Sequence, residues 1–211
     1  MNIREIVSQS AVIPVLTVND LAHAVPLARA LVAGGLRVLE ITLRTAAALG
    51  CVQAIRNALP DAVIGVGTLT RPVDFAAAGK VGAQFGVTPG LTPELAAAAR
   101  GVRFPLLPGV MTPTEVIAAR HAGFDTLKFF PAEQAGGVAT LRALGALFPE
   151  LIFCPTGGIT RANFADYLSL SNVASVGGSW VAPQEMINAS DWNGIETLAR
   201  EAATLKNSRP R

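Results

Sequence analysis

The chain has 211 residues, of which 51% are hydrophobic and 15% are charged, and its net charge is +2. This length suits one domain with a sizeable core, and the composition excludes a disordered chain, which needs low hydrophobicity and high charge. The arginines are scattered rather than clustered on one segment, so no nucleic-acid partner is expected.

The cysteines, the histidines and the N-terminus exclude other classes. Cys51, Cys154, His23 and His121 lack the spacing of metal ligands, so we expect no metal site and two reduced, buried thiols. Residues 1–5 lack the pattern of a leader peptide, and no apolar run approaches the ~20 residues that span a bilayer. A cytoplasmic protein with no membrane partner is expected.

Strand-like and helix-like segments alternate along the whole chain. A short helix is expected near residues 2–9. Strands are predicted at 11–16, 36–41, 62–68, 84–87, 104–109, around Lys128, 151–155 and 173–177. The helices that follow them are predicted at 21–33, 46–59, 71–78, 92–100, 112–121, 137–148, 162–170 and 191–205, with 207–211 frayed.

Eight strands that each precede a helix, at a spacing of about 20–25 residues, predict a parallel sheet. The sequence therefore predicts one domain over residues 1–211, a (β/α)8 TIM barrel of the α/β class with a short N-terminal helix. The alternative is an open doubly wound sheet. It is disfavoured because no Gly-x-Gly-x-x-Gly motif follows the first strand.

Lys128 is the one lysine placed inside an apolar strand. The other two lysines, Lys80 and Lys206, lie in a Gly-flanked connection and in the polar tail, whereas fourteen cationic residues are arginines. Arginine cannot give up its proton, but a desolvated lysine can, and it then becomes a nucleophile for carbonyl carbon. The other interpretation is a lysine that runs its stem along the strand and places its ammonium in water or against a carboxylate.

Charged residues at the end of the second predicted strand are the next candidates. Glu40 lies in a strand that is apolar on both faces, and strands two and six of an eight-stranded barrel lie opposite each other. Glu40 can therefore face Lys128, either as a proton shuttle or as a structural ion pair. Arg44 fits a carboxylate-binding residue or the solvated start of the next helix.

Glycine pairs follow the seventh and eighth predicted strands, where this fold binds phosphate through backbone N–H groups. The pairs are Gly157–Gly158 and Gly177–Gly178, and Ser179 adds a hydroxyl group. Alternatively, the two glycine pairs are ordinary turns that bind nothing. Threonines at strand ends (Thr68, Thr88, Thr156) can donate to substrate oxygens or be ordinary turn residues. Phe130 is either an apolar wall over an imine or part of the core.

Six ordered motifs together resemble the 2-keto-3-deoxy-6-phosphogluconate (KDPG) aldolases, many of which also act on 4-hydroxy-2-oxoglutarate (KHG). The motifs are LEITLRT at 39–45, GVGT at 65–68, TPG at 88–90, LKFFPAE at 127–133, FCPTGGI at 153–159 and GGSW at 177–180. The resemblance runs from about residue 11 to 205. The main departure is Thr88, where the family is expected to have Ser.

The resemblance implies a class I aldolase on a (β/α)8 barrel, usually a homotrimer, that needs no metal or other cofactor. Lys128 would form the imine and Glu40 would be the acid and base. The substrate carboxylate and pyruvate moiety would be held by Arg44, Thr68, Pro89, Phe130 and Thr156. The phosphate end would be held by Gly157, Gly158, Gly177, Gly178 and Ser179.

The expected reaction is cleavage of KDPG, a phosphorylated 2-keto acid, to pyruvate and glyceraldehyde 3-phosphate. Cleavage of KHG to pyruvate and glyoxylate is a second expected reaction. Two other functions remain open: a phosphosugar isomerase or epimerase on the same barrel, with Glu40 as base, and a non-catalytic sensor of phosphate ligands, with Lys128 as a point charge.

Overall fold

The computed structural model of the protein describes residues 1–204, in which nine strands and ten helices follow one another. The strands are β1 (Val12–Leu16), β2 (Val38–Thr42), β3 (Val63–Gly67), β4 (Phe85–Val87), β5 (Leu106–Leu107), β6 (Gly109–Val110), β7 (Thr126–Phe129), β8 (Ile152–Pro155) and β9 (Val176–Gly178). The helices are α1 (Ile3–Val7), α2 (Leu21–Ala33), α3 (Ala48–Ala58), α4 (Pro72–Lys80), α5 (Pro93–Arg100), α6 (Pro113–His121), α7 (Gly137–Leu147), α8 (Phe164–Leu168), α9 (Gln184–Asn188) and α10 (Trp192–Thr204).

The strands form parallel sheets, which confirms the predicted α/β class. Six strands pair in the order β5-β4-β3-β2-β1-β9, and three pair in the order β6-β7-β8. The chain passes from one sheet to the other at Pro108, which separates β5 from β6. At the other edge, single parallel bridges join Phe153 to Val173 and Thr156 to Gly177.

Buried side chains lie on both faces of the strands, as a parallel sheet covered by helices requires. The larger apolar cluster fills the space between the strands and the helices. A smaller cluster lines the inner faces, with Ile13, Val38, Val63, Phe85, Val87, Leu107 and Cys154 from the strands. Ile3, Ile6 and Val7 of α1 belong to this inner cluster, so α1 covers the end of the strands where they begin.

Most element bounds agree with the predicted ones to within two residues, and α2 has the predicted bounds. Two predicted strands differ from the structure, and one helix was not predicted. The fifth strand is interrupted at Pro108, which has no N–H for a sheet hydrogen bond. The last strand begins at Val176 rather than 173, and the helix α9 was not predicted. Leu205, Lys206 and residues 207–211 lie outside the described residues.

Within residues 1–204, no helix combines the length and the apolar character needed to cross a membrane.

Candidate active site

The side chains of Glu40 and Lys128 approach each other on the inner side of the strands. Period-two alternation places Glu40 on the same face of β2 as Val38, whose side chain belongs to the inner cluster. The Lys128 Nζ atom of β7 lies 3.5 Å from Glu40 Oε1, and the two side chains are only 7% and 4% exposed. Within residues 1–204, Oε1 has no hydrogen-bond partner. This buried oxygen can therefore accept a proton or a hydrogen bond from a bound molecule.

Gly67 of β3 provides the space that the Glu40 side chain occupies. A methyl group on Gly67 would lie 2.7 Å from both Cγ and Cδ of Glu40, and closer still to Oε1. Non-bonded carbon atoms are normally 3.5–4.0 Å apart. A glycine is thus required here for the carboxylate to reach the lysine.

The surroundings of Lys128 are apolar on two sides. The Phe130 ring centroid lies 5.2 Å from Nζ. Cys154 is next to Lys128 across the pairing of β7 and β8. Burial raises the pKa of the Cys154 thiol to about 11. A hydrogen bond from Ser175 and the positive charge of Lys128 lower this pKa, but their effect is smaller than that of burial. Cys154 is therefore an uncharged thiol at neutral pH.

A cavity of about 420 Å³ opens at the ends of the strands. Eight predicted site residues line it: Arg44, Phe130, Thr156, Gly157, Gly158, Gly177, Gly178 and Ser179. Lys128 and Glu40 are not part of its wall. They lie one layer deeper, because Lys128 precedes the wall residue Phe130 by two positions on the same face of the strand.

Arg44 supplies an unpaired positive charge to the cavity. It follows the end of β2, its side chain is exposed, and it forms no ion pair with any residue between 1 and 204. A guanidinium group in this state is free to bind a carboxylate or phosphate through two parallel hydrogen bonds.

The Gly157–Gly158 turn has a backbone that other residues rarely adopt, with φ of 103° and 74°. A methyl group on Gly158 would also lie 2.6 Å from Glu133, and one on Gly157 would lie 3.1 Å from Pro131. A methyl group on Gly177 would overlap Thr156, and one on Gly178 would overlap the Trp180 ring. The glycines therefore let the backbone form the cavity wall itself.

Thr68 and Pro89 follow the ends of β3 and β4, at the same edge of the sheet as the cavity, but neither lines it. Sequence reasoning also missed part of the wall: Val15, Thr17, Ile159, Ala182, Pro183, Gln184 and Ile187. Period-two alternation along the first strand places Val15 and Thr17 on the same face as Ile13, and this pattern could have predicted that both line the cavity. Three of the others lie in or next to α9, a five-residue helix with no clear apolar period.

No group of three or more His, Cys, Asp or Glu side chains within residues 1–204 is arranged to hold a metal ion.

The family model "KDPG and KHG aldolase" matches residues 3–198 of this chain. The chain belongs to the KDPG and KHG aldolase family. The 2-dehydro-3-deoxy-phosphogluconate aldolase of Pseudoalteromonas atlantica is 47% identical over 94% of this chain and 93% of its own length. The KHG/KDPG aldolase of Escherichia coli K12 is 47% identical over 93% of this chain and 92% of its own length. These findings confirm the resemblance.

Solved structures of the family superpose closely. The KDPG aldolase of Legionella pneumophila, which holds pyruvate as a covalent carbinolamine intermediate, has a TM-score of 0.94 at 42% identity, over 95% of this chain and 98% of its own. The Zymomonas mobilis KDPG aldolase with 3-phosphoglycerate has a TM-score of 0.89 at 42% identity, over 95% of this chain and 94% of its own.

Proposed function

We propose that the protein is a class I aldolase that cleaves KDPG to pyruvate and glyceraldehyde 3-phosphate, and KHG to pyruvate and glyoxylate. The observation that carries the proposal is the buried amine of Lys128, 3.5 Å from the carboxylate of Glu40 and one layer below an open cavity. Membership of the family supports it, as does the covalent pyruvate intermediate of the Legionella relative.

The first steps use the Lys128–Glu40 pair. Transfer of a proton from the Lys128 ammonium to Glu40 produces a free amine, which attacks the C2 carbonyl carbon of the substrate. Glu40 returns this proton to the hydroxyl of the carbinolamine that forms, water leaves, and the products are an iminium cation and a Glu40 carboxylate. The apolar ring of Phe130 and the buried Cys154 keep bulk water away from this centre.

Carbon–carbon cleavage follows from the same two residues. Glu40, again a carboxylate, takes the proton of the C4 hydroxyl, the C3–C4 bond breaks, and its electrons pass to the iminium to form an enamine. The aldehyde leaves, Glu40 returns the proton to C3, and hydrolysis of the imine releases pyruvate. General acid–base catalysis of this kind contributes ~10²–10⁴-fold.

The two ends of the substrate have different partners in this proposal. Arg44, Thr68, Pro89, Phe130 and Thr156 hold the carboxylate and the pyruvate moiety. The phosphate lies against the backbone at Gly157, Gly158, Gly177 and Gly178, with the hydroxyl of Ser179. The positions of these groups on or beside the cavity support this assignment.

The architecture in the proposal is a closed (β/α)8 barrel formed by residues 1–211 as one domain. Two observations support closure: the chain continues from β5 to β6 across Pro108, and bridges connect Phe153 of β8 with Val173 and Thr156 with Gly177 of β9. A homotrimer in the cytoplasm completes the proposal, supported by the family resemblance and by two buried free thiols.

Borohydride reduction in the presence of pyruvate tests the proposed chemistry. The wild type should gain one reduced pyruvyl group on Lys128, located by peptide mass spectrometry. Lys128→Arg should gain none and lose turnover, because a guanidinium cannot become a free amine. Lys80→Arg, at the exposed end of α4, is the matched control and should retain both.

The same experiment separates the alternatives. A wild type with no adduct would refute the aldolase, and phosphosugar turnover would then identify an isomerase or epimerase. If neither an adduct nor phosphosugar turnover is found, the remaining alternative is the non-catalytic phosphate sensor. Steady-state rates with KDPG and with KHG measure the preference between the two substrates.

A further inference from the structure

Thr17 follows β1 and lines the cavity, but neither the proposed chemistry nor the phosphate end uses it. Its side chain is half-buried, and its hydroxyl oxygen lies 3.1 Å from that of Thr42. Thr42 is fully buried at the end of β2. The two threonines thus form a hydrogen-bonded pair between neighbouring strands, with only Thr17 facing the cavity.

The direction of this hydrogen bond follows from the other partner of Thr42. The Thr42 hydroxyl lies 2.9 Å from the carbonyl oxygen of Leu16. A carbonyl can only accept, so Thr42 must donate its single hydroxyl proton there. In the contact between the two threonines, Thr17 is therefore the donor. With its proton directed at Thr42, the Thr17 oxygen presents only lone pairs to the cavity.

The position of Thr17 along the wall indicates which part of the substrate it meets. Val15 of β1 is paired with Glu40 of β2, and Thr17 lies two residues further on, about 6–7 Å toward the cavity mouth. On its other side, β1 pairs with β9, which ends at Gly178 beside Ser179. Thr17 thus follows the strand that lies between β2, which carries the acid/base carboxylate, and β9, which leads to the proposed phosphate end.

We infer that Thr17 is a specificity residue that accepts a hydrogen bond from the C5 hydroxyl of the phosphorylated substrate. This inference rests on the proposed function, in which Glu40 serves the C4 hydroxyl and the glycine pairs serve the phosphate on C6. The C5 hydroxyl is the donor between those two groups. The same lone pairs offer no hydrogen bond to a carboxylate oxygen such as that of KHG.

Two aldehydes that differ only in this hydroxyl test the inference. Condensation with saturating pyruvate is measured for glyceraldehyde 3-phosphate and for 3-phosphooxypropanal, which has hydrogen in place of the hydroxyl that becomes the C5 hydroxyl. The wild type should favour glyceraldehyde 3-phosphate in kcat/KM by about 2- to 12-fold, the range of a hydrogen bond between neutral groups. Thr17→Val should lower this ratio to about one, and Thr17→Ser should restore it.

A binding measurement keeps the inference testable without turnover. Calorimetric titration compares glycerol 3-phosphate with 3-hydroxypropyl phosphate, a pair that again differs in one hydroxyl. The wild type should bind the first more tightly by a similar factor, and Thr17→Val should bind the two equally. Thr197→Val, which removes a hydroxyl bonded to the Asn193 carbonyl on α10, is the matched control and should keep the preference.

Equal losses for both members of a pair in Thr17→Val would overturn the inference, since Thr17 would then shape the cavity rather than contact the hydroxyl. A wild type without any preference would overturn it as well. Failure of the proposed function gives a different result: no pyruvyl adduct forms on Lys128, whatever the titrations show.

Discussion

Replacing Glu40 by Gln and Lys128 by Met, singly and together, measures how strongly the two buried side chains depend on each other. Two unit charges 3.5 Å apart interact by about 5 kcal/mol at an effective dielectric constant of about 20. Removing either partner leaves the other charge buried and unpaired, which costs about 3–5 kcal/mol. Removing both should cost much less than the sum of the single changes.

Urea unfolding at pH 7 gives the free energy of unfolding of the four proteins, and the double-mutant cycle gives the coupling energy. We expect a coupling of about 3–5 kcal/mol for Glu40 with Lys128. The exposed pair Arg120–Glu150, whose side chains are 53% and 47% exposed, is the matched control. Its coupling, from Arg120→Met and Glu150→Gln, should not exceed about 1 kcal/mol.

A Glu40–Lys128 coupling no larger than that of the exposed pair would refute the reasoning. It would mean that water screens the two groups or that they do not face each other in solution. The proposed transfer of a proton from Lys128 to Glu40 would then lose its structural basis.

Three further predictions concern single positions. Gly67→Ala should lower kcat by at least about tenfold, because the new methyl group displaces the Glu40 carboxylate from Lys128. Steady-state rates check this. The control is Gly79→Ala, whose methyl group would make only an ordinary van der Waals contact with Phe104 and should leave kcat unchanged. Arg44→Met should lower kcat/KM by about tenfold or more, chiefly through KM, since a hydrogen bond to a charged group is lost; a kcat/KM equal to that of the wild type would contradict its role. The pKa of Cys154 is raised from its ordinary 9.0 to about 11, so the stability that this shift confers is fully present below pH 9 and is lost, by about 3 kcal/mol, as the pH rises to 11. Cys154→Ala should flatten the fall in unfolding free energy over that range, and an unchanged slope would show that the thiol does not contribute to it.

The parts of the site that the sequence predicts are those that depend on strand order and strand periodicity. Glu40 and Lys128 lie in the second and sixth predicted strands, which are opposite each other in an eight-stranded barrel, and period-two alternation indicates which neighbours share a face with each of them. Strand alternation no longer applies at Thr68, because its φ of 63° shows that the chain has left the extended conformation. Strand alternation then no longer gives the direction of its side chain.

Other features depend on contacts between distant segments. The helix α9 has one buried residue, Ile187, in five, which is too little for an apolar pattern. The orientation of the Thr17 hydroxyl depends on Thr42, 25 positions later, and on the Leu16 carbonyl. No local sequence pattern encodes the direction of a hydrogen bond, so the sequence does not distinguish Thr17 from the other threonines at strand ends.

The placement of α1 across the start of the strands bears on how molecules enter and leave. Ile3, Ile6 and Val7 pack against the first residues of the strands, so within residues 1–204 that end is filled by apolar side chains and the cavity opens at the opposite end. Both fragments of a cleaved substrate must depart through the same mouth, and the one tethered to the lysine lies deeper. In the proposed mechanism the aldehyde leaves first, because pyruvate is still bound covalently to Lys128, and in the synthetic direction we expect pyruvate to bind before the aldehyde.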